Sequence, residues 1–239
     1  MSTESLTIGG TQVEVHRKKI KNLHVGVYPP EGRVRVAAPE GISTDAIRTA
    51  VLTRMDWIRR RQSSFQAQER QSVRRYISGE THYVFGRALR LTVDEWEKRV
   101  HRISVEGRDR LRLSVPPDST AVDRRTWIRN WRRTELRAMA APKVETWASA
   151  LKVTPTFWGI RDMRTKWGSC NPKSGRIWLN LELSKKPVEA MDYVILHELA
   201  HLISPRHDDR FIAALDAHLP QWRQIRSDLN ALPLSSWSE

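Results

Sequence analysis

The amino-acid sequence predicts an α+β protein, in which a β-rich half with one helix precedes a mainly helical half. Two blocks, residues 5–38 and 75–115, alternate apolar and polar side chains as strands do. Residues 119–151 instead repeat apolar side chains at helical spacing. A further helix is predicted within Pro187–Phe211, a stretch that contains the sequence His-Glu-Leu-Ala-His. The second half of the chain is organised around this helix.

The first half is predicted to hold two groups of strands separated by one helix. We interpret the first group as a small meander, with strands at Leu6–Ile8, Gln12–Val15, His24–Val27 and Arg33–Val36. A helix capped at Ser43 or Thr44 follows and runs to about residue 71. Pro116-Pro117 closes the second group and gives a region of residues 1–117 and another of 118–239. We expect both regions to form one integrated domain.

The second half is predicted to run as a long helix, a small sheet, the His-Glu helix and a closing helix. Its two strands cover Thr156–Ile160 and Arg176–Leu181, and the closing helix covers 208–218. The sequence has no recognisable internal repeat. This order of elements places the small sheet directly before the helix that carries the chemistry.

The sequence His197-Glu198-Leu199-Ala200-His201, an HExxH motif, predicts a metal site. Four residues are a little over one helical turn, so both histidines project from one face and can share an ion. Glu198 lies beside them, where a carboxylate can take a proton from water activated by zinc. Surrounding apolar residues predict a buried helix, in which a metal would satisfy the polar groups.

A catalytic zinc needs a third protein ligand, and the sequence after the helix offers several candidates. Ser204-Pro205 is expected to end the helix, which lets the chain turn back towards the metal. We rank His207 first, then Asp208 or Asp209, and last His218. One zinc ion per chain is expected.

Composition and charge limit the class of protein. The 239 residues include one cysteine, Cys170, so no intrachain disulfide can form. The chain has neither a signal-peptide pattern at its start nor an apolar run of ~18 residues, and we expect a cytoplasmic protein without a membrane span. The net charge is +14, and much of it lies in the predicted helices 54–75 and 124–137. These arginine-rich helices are either solvated faces or a surface for nucleic acid.

The sequence Trp167-Gly168-Ser169-Cys170, followed by the strand at Arg176–Leu181, HExxH and His207, resembles the YgjP-like metallopeptidases. These are zincins related to the SprT and WLM proteases, and the resemblance extends from Arg17 to about Leu229. It implies zinc bound by His197, His201 and His207, with Glu198 as general base. It also implies that residues 167–170 lie beside the cleft, near an edge strand that could pair with a peptide. Lys166 stands where the family often has arginine.

Other parts of the site are less determined by the sequence. Trp167, Gly168 and Ser169 are predicted to contact substrate, together with Arg164 and Lys166. A donor for the developing oxyanion could come from Tyr193, Arg161, Arg164 or Lys166. Asn180 either orients a histidine ligand or has a structural role near a turn.

Three functions fit these residues. We expect a zinc-dependent peptidase acting on protein or peptide. One alternative is a metal-dependent nucleoside triphosphate (UTP) pyrophosphatase, which would need lysine or arginine in the cleft to hold phosphates. The other is a non-catalytic nucleic-acid-binding protein with a structural metal, in which Glu198 would have no chemical role.

Overall fold

The computed structural model describes residues 3–28, 31–67, 74–163 and 165–232. It contains helices and three small sheets, which confirms the predicted α+β class. The chain divides into two compact units, one of residues 1–72 with 232–239 and the other of residues 73–231. None of the helices in the described part of the chain combines the length and apolar character of a membrane span.

The first unit is a four-stranded sheet with two helices. Its strands are β1 (Thr3–Ile8), β2 (Thr11–Lys18), β3 (His24–Tyr28) and β4 (Arg33–Pro39), in the order β1-β2-β4-β3. The helices are α1 (Thr44–Leu52), capped by the Ser43 hydroxyl, and α2 (Met55–Ala67). Alternate valines of β2 and β4 pack against Ile47 and Ile58 to form the core of this unit.

Two predictions for this unit were wrong. The strands do not form a meander, because β2 pairs with β4 in parallel and β3 lies outside β4 at the edge. The helix predicted as continuous from 44 to about 71 is interrupted at Thr53–Arg54, where the last backbone bonds of α1 close a turn. Residues 68–71 of that prediction lie outside the described residues.

The second unit begins with another four-stranded sheet. Its strands are β5 (Thr81–Val84), β6 (Arg87–Glu95), β7 (Arg102–Glu106) and β8 (Arg110–Val115). They lie in the order β5-β6-β8-β7, and β6 pairs with β8 in parallel. Strand order and direction are therefore the same as in the first sheet, a similarity of topology that the sequence does not reveal.

The long helix α3 (Ala121–Leu151) packs on this second sheet. It begins with a capping box, in which Thr120 and Asp123 exchange side-chain to backbone hydrogen bonds. Ile128 is fully buried with the leucines of β6 and β8, so α3 and the sheet share a core. The predicted break at 117/118 therefore falls between elements of one core. The regions 1–117 and 118–239, and their joining in one domain, stay predictions.

The rest of the second unit carries the candidate site. A three-stranded sheet contains β9 (Phe157–Arg161), β10 (Gly168–Asn171) and β11 (Arg176–Asn180), in the order β10-β11-β9. A 3-10 helix (Leu181–Lys185) then leads to α4 (Val188–Ala200), α5 (Asp209–His218) and α6 (Trp222–Ala231). Strand β10 is an edge strand, and neither it nor α6 was predicted.

Helix α4 is held firmly against α3. Nine of its thirteen residues are buried, which confirms the burial predicted from its apolar composition. Asp192 accepts hydrogen bonds from the Lys143 ammonium at 2.7 Å and from the Trp147 indole at 3.0 Å, both on α3. These bonds fix the helix that carries the HExxH motif.

Candidate metal centre

Three histidines come together at the end of α4. The ligand nitrogens of His197, His201 and His207 all lie within 4.8 Å of one another. The first two project from one face of α4, and the turn after Ala200 brings the third back to them. The Nε2 atoms of His197 and His207 are 3.3 Å apart. Two nitrogens that each bind a tetrahedral zinc at ~2.05 Å are about 3.3 Å apart, so this pair fits such an ion.

The second ring nitrogen of two of these histidines has a partner that fixes the ring. The Nδ1 atom of His201 donates to the backbone oxygen of Ser204 at 3.3 Å. The Nδ1 atom of His197 lies 3.4 Å from the Tyr193 hydroxyl. Such contacts leave Nε2 free to bind a metal and are typical of histidine ligands. The donor set therefore fits a divalent ion that favours imidazole, such as zinc.

The surroundings of His197 and His201 favour the neutral form of both rings. Burial, followed by the charges of His201 and His207, lowers the pKa of His197 to about 3. Burial also lowers the pKa of His201. A neutral imidazole is the form that binds a metal.

Phe211 packs against all three histidines and was missed by the sequence analysis. Its ring centroid lies 5.0, 4.8 and 4.6 Å from those of His197, His201 and His207. The side chain is fully buried on α5. It stands four residues after His207, where an apolar residue of an amphipathic helix gives no separate signal of a site.

The other candidates for third ligand have different roles. Asp208 caps α5, because its carboxylate accepts from the Ser204 hydroxyl at 2.7 Å and from the backbone N–H of Phe211 at 3.1 Å. Asp209 is exposed in the first turn of that helix. His218 stands at its far end, edge-on to Trp147. Only His207 joins the other two histidines within the described residues.

Glu198 is buried beside the histidines and lies directly over Gly168. A Cβ at residue 168 would come within 2.6 Å of both the Cγ and Oε1 atoms of Glu198. Burial raises the pKa of Glu198 to about 7, and the positive charge of Lys166 opposes this rise. Glu198 is thus a buried carboxyl group beside the three histidines, and its pKa is raised towards neutral.

A cleft of about 490 Å³ opens in front of these groups. The four predicted residues Lys166, Trp167, Gly168 and Ser169 line it, as does Cys170, whose thiol pKa burial raises to about 11. Arg164 lies outside the described residues. The sequence analysis did not assign the opposite wall, which contains Trp222 and Arg226 of α6. Their spacing of four residues predicts a shared helix face, but not its position beside the histidines.

Of the two roles considered for Asn180, the hydrogen bonds of the described residues favour the structural one, since its side chain bonds to a loop. Its side-chain amide donates to the backbone oxygens of Met163 and Lys166, both at 2.8 Å. Its side-chain oxygen accepts from the backbone of Met163 and Glu182. Asn180 therefore holds the loop that leads into Trp167, which is the structural alternative considered above.

The candidates for an oxyanion donor differ in whether they line the cleft. Tyr193 and Lys166 line the cleft. The guanidinium of Arg161 instead donates to the Ser169 hydroxyl at 3.2 Å and lies 5.2 Å from the ring centre of Trp178. It is not among the residues that line the cleft.

The arginines of the segment 124–137 are engaged within the protein. Arg129 and Arg133 both pair with Asp162, while Arg132 is buried beside His82. Arg137 lies 5.1 Å from the ring centre of Trp158. Arg124 and Arg125 also have partners within the protein. Nucleic-acid binding by this segment is not supported by these contacts. Binding by this segment and by the segment 54–75 stays a prediction.

The chain is similar to a known protein family and to solved structures. Residues 22–232 match the model of a family described as YgjP-like, metallopeptidase domain. No curated protein matches the chain. The metallopeptidase zymogen of Pyrococcus abyssi abylysin is similar at 21% identity over 40% of this chain and 99% of its own, with a TM-score of 0.36. The zymogen of Methanocaldococcus jannaschii jannalysin is similar at 23% identity over 37% and 91%, with a TM-score of 0.34.

Structural similarities with TM-scores of 0.36 and 0.34 are too low to support an inference about this chain. The family match, in contrast, spans most of its residues. The chain therefore belongs to the YgjP-like family and contains its metallopeptidase domain.

Proposed function

We propose that the protein is a zinc-dependent peptidase that binds one zinc ion through His197, His201 and His207, in a zincin arrangement. The single observation that carries this proposal is the convergence of the three histidine nitrogens beside a buried Glu198. Proteins or peptides are the substrates that the family implies.

In hydrolysis, the three histidines would hold the zinc ion and Glu198 would transfer the proton. When bound, zinc acts as a Lewis acid towards the peptide carbonyl and makes water a stronger acid. Glu198 takes a proton from the attacking water and later gives it to the nitrogen of the leaving amine. Its pKa of about 7 suits both transfers, since the group gives up and regains a proton readily near neutral pH.

Strand β10 supplies a binding surface for an extended peptide. It is the edge of its sheet, and its first residue, Gly168, lies against Glu198. The backbone groups on the open side of an edge strand can pair with a substrate strand. Such pairing would hold the scissile bond next to the general base.

Lys166 is our candidate for stabilising negative charge on the reacting carbonyl oxygen. It lines the cleft, acts electrostatically on Glu198, and its loop is fixed by Asn180. Tyr193 is instead occupied with His197, where it orients a ligand ring.

The test uses zinc-loaded protein and the Glu198→Gln variant, each incubated with an unfolded protein and with UTP. Mass spectrometry detects new peptide termini and UMP. New termini that depend on Glu198 are expected. Their absence, with both proteins shown to hold zinc, would overturn the proposal.

A UTP pyrophosphatase is the second candidate, because two cationic side chains, Lys166 and Arg226, line the cleft as phosphate binding requires. Its expected ion is magnesium, which three histidines suit poorly. Formation of UMP without new peptide termini would establish this alternative.

A further inference from the structure

The wall of the cleft formed by α6 combines an aromatic side chain with a cationic one. Trp222 and Arg226 are four residues apart on this helix and face the cleft together. The ring of Trp222 stacks on Tyr193, with centroids 6.2 Å apart and planes inclined by 5°. Both rings are buried. The Trp222 indole also donates to Asp216 at 2.8 Å, so this aromatic wall is fixed in orientation.

The guanidinium of Arg226 extends the same wall and forms no hydrogen bond or ion pair with the described residues. The carboxylates near it already have partners. Asp216 pairs with Arg223, and Asp228 accepts a hydrogen bond from Gln224. Glu198 is the only carboxylate among the residues that line the cleft, and it interacts with Lys166. Arg226 therefore keeps all its donors available to a molecule in the cleft.

The positive charge of Arg226 acts on side chains in the middle of the cleft. Arg226 lines the same cleft as His197 and Tyr193. Burial is the main cause that lowers the pKa of His197 and raises that of Tyr193, and the charge of Arg226 adds to the first shift and opposes the second. A substrate group that meets Arg226 is therefore near the scissile bond. The planar guanidinium matches the two oxygens of a carboxylate and can bind them with paired hydrogen bonds.

We propose that Arg226 makes this end of the cleft a subsite for a carboxylate of the peptide substrate. The inference rests on the proposed peptidase function and names its preferred substrates. The carboxylate belongs either to an aspartate or glutamate side chain or to the C-terminus of the peptide. Because Arg226 and Glu198 line the same cleft, the acidic group must stand within a limited distance of the cut.

The test begins with cut sites in a pool of unfolded proteins, mapped by mass spectrometry for the zinc-loaded wild type, Arg226→Gln and Arg110→Gln. Arg110 is an exposed arginine of β8 that pairs with Glu106, so its substitution removes the same charge away from the cleft. Wild type and Arg110→Gln should favour acidic residues at one position. Arg226→Gln should lose that preference, and Arg226→Lys should retain part of it.

Cleavage of synthetic peptides then measures how much the carboxylate raises kcat/KM. It also distinguishes an acidic side chain from the C-terminus as the source of that carboxylate. A glutamate at the favoured position should raise kcat/KM about fivefold over glutamine, the gain that an exposed ion pair gives. The ratio should fall in high salt. If the C-terminal carboxylate is the recognised group, peptides ending in an amide lose the same factor and internal glutamate has no effect.

A binding measurement separates this inference from the peptidase proposal. The zinc-loaded Glu198→Gln variant is titrated with the glutamate and glutamine peptides, with and without Arg226→Gln. Cleavage that prefers neither an acidic side chain nor a free C-terminal carboxylate, or a preference that survives Arg226→Gln, overturns the subsite and leaves the peptidase standing. No cleavage, combined with Arg226-dependent binding of the acidic peptide, overturns the peptidase activity alone. Equal affinity for the glutamate and glutamine peptides, combined with equal affinity for the free-acid and C-terminally amidated peptides, overturns the subsite in every case.

Discussion

Gly168 is the residue at which a single methyl group should disable the site without removing the metal. An alanine Cβ would lie 2.6 Å from Cγ and Oε1 of Glu198 and 2.9 Å from its Cδ. The backbone of Gly168 has no positive φ, so alanine causes no strain of its own. Glu198 must therefore move away from β10, the strand that we propose binds the substrate.

The size of the effect follows from this displacement. Carbon and oxygen atoms in contact are separated by roughly 3.3 Å or more, so the carboxylate has to shift by several tenths of an ångström to about 1 Å. A displacement of that size costs about 100-fold in rate when it moves a catalytic group. We expect kcat of Gly168→Ala to fall about 100-fold, with zinc occupancy unchanged and a loss of about 1–3 kcal/mol in stability from overpacking.

The assay follows cleavage of one peptide by wild type, Gly168→Ala, Glu198→Gln and the double variant. Zinc content and thermal unfolding are measured alongside. Gly41→Ala is the matched control, since a Cβ at residue 41 meets no atom within 4 Å. If Gly168→Ala acts through Glu198, it should have no further effect in the Glu198→Gln background. Wild-type kcat in Gly168→Ala, or full additivity in the double variant, would refute the reasoning.

Three further predictions concern the metal and the general base. His207→Ala should lose most bound zinc, measured by metal analysis after gel filtration, whereas Asp208→Ala and His218→Ala should keep it; full occupancy in His207→Ala contradicts the ligand set. Tyr193→Phe should weaken zinc binding about tenfold in a chelator competition, because His197 loses its hydrogen-bonding partner; an unchanged affinity would assign Tyr193 to packing. In zinc-free protein, Glu198 binds a proton more tightly when folded (pKa about 7) than when unfolded (4.5), so its contribution to stability is present below pH 4.5 and is lost as the pH rises through 7. Relative to Glu198→Gln, the wild type should therefore lose about 3 kcal/mol between pH 4 and pH 8 in denaturant titrations, and parallel pH profiles would contradict the raised pKa.

The sequence was most informative where structure depends on near neighbours. The long helix and the HExxH helix follow from apolar spacing, and the pairing of His197 with His201 follows from the helical turn alone. Strand β10 has only four residues, Gly168–Asn171, and no apolar alternation. It is a strand because it pairs with β11, which local pattern cannot reveal. The parallel pairing of β2 with β4 was missed for the same reason.

The roles of individual polar residues depended on distant partners. The spacing of Arg129 and Arg133 indicates a common helix face, but their partner, Asp162, comes after β9. Asn180 could be assigned either to a histidine or to a loop, and only the fold decides between them. The cleft wall formed by α6 depends on the packing of that helix against α4. Sequence spacing thus identifies which residues share a face, while the fold determines what that face meets.

The shared strand order of the two four-stranded sheets has a consequence for synthesis on the ribosome. Each parallel pair closes within a short segment, since Val13 lies opposite Val34 and Arg90 opposite Arg110. Each of these segments is synthesised completely before the rest of the chain and can form while the chain is still growing from its N-terminus. The three clustered histidines and Glu198 emerge only after both sheets are complete. We therefore expect the nascent chain to lack the proposed hydrolytic centre until translation has passed His207, so that a new copy cannot cut unfinished polypeptides near the ribosome.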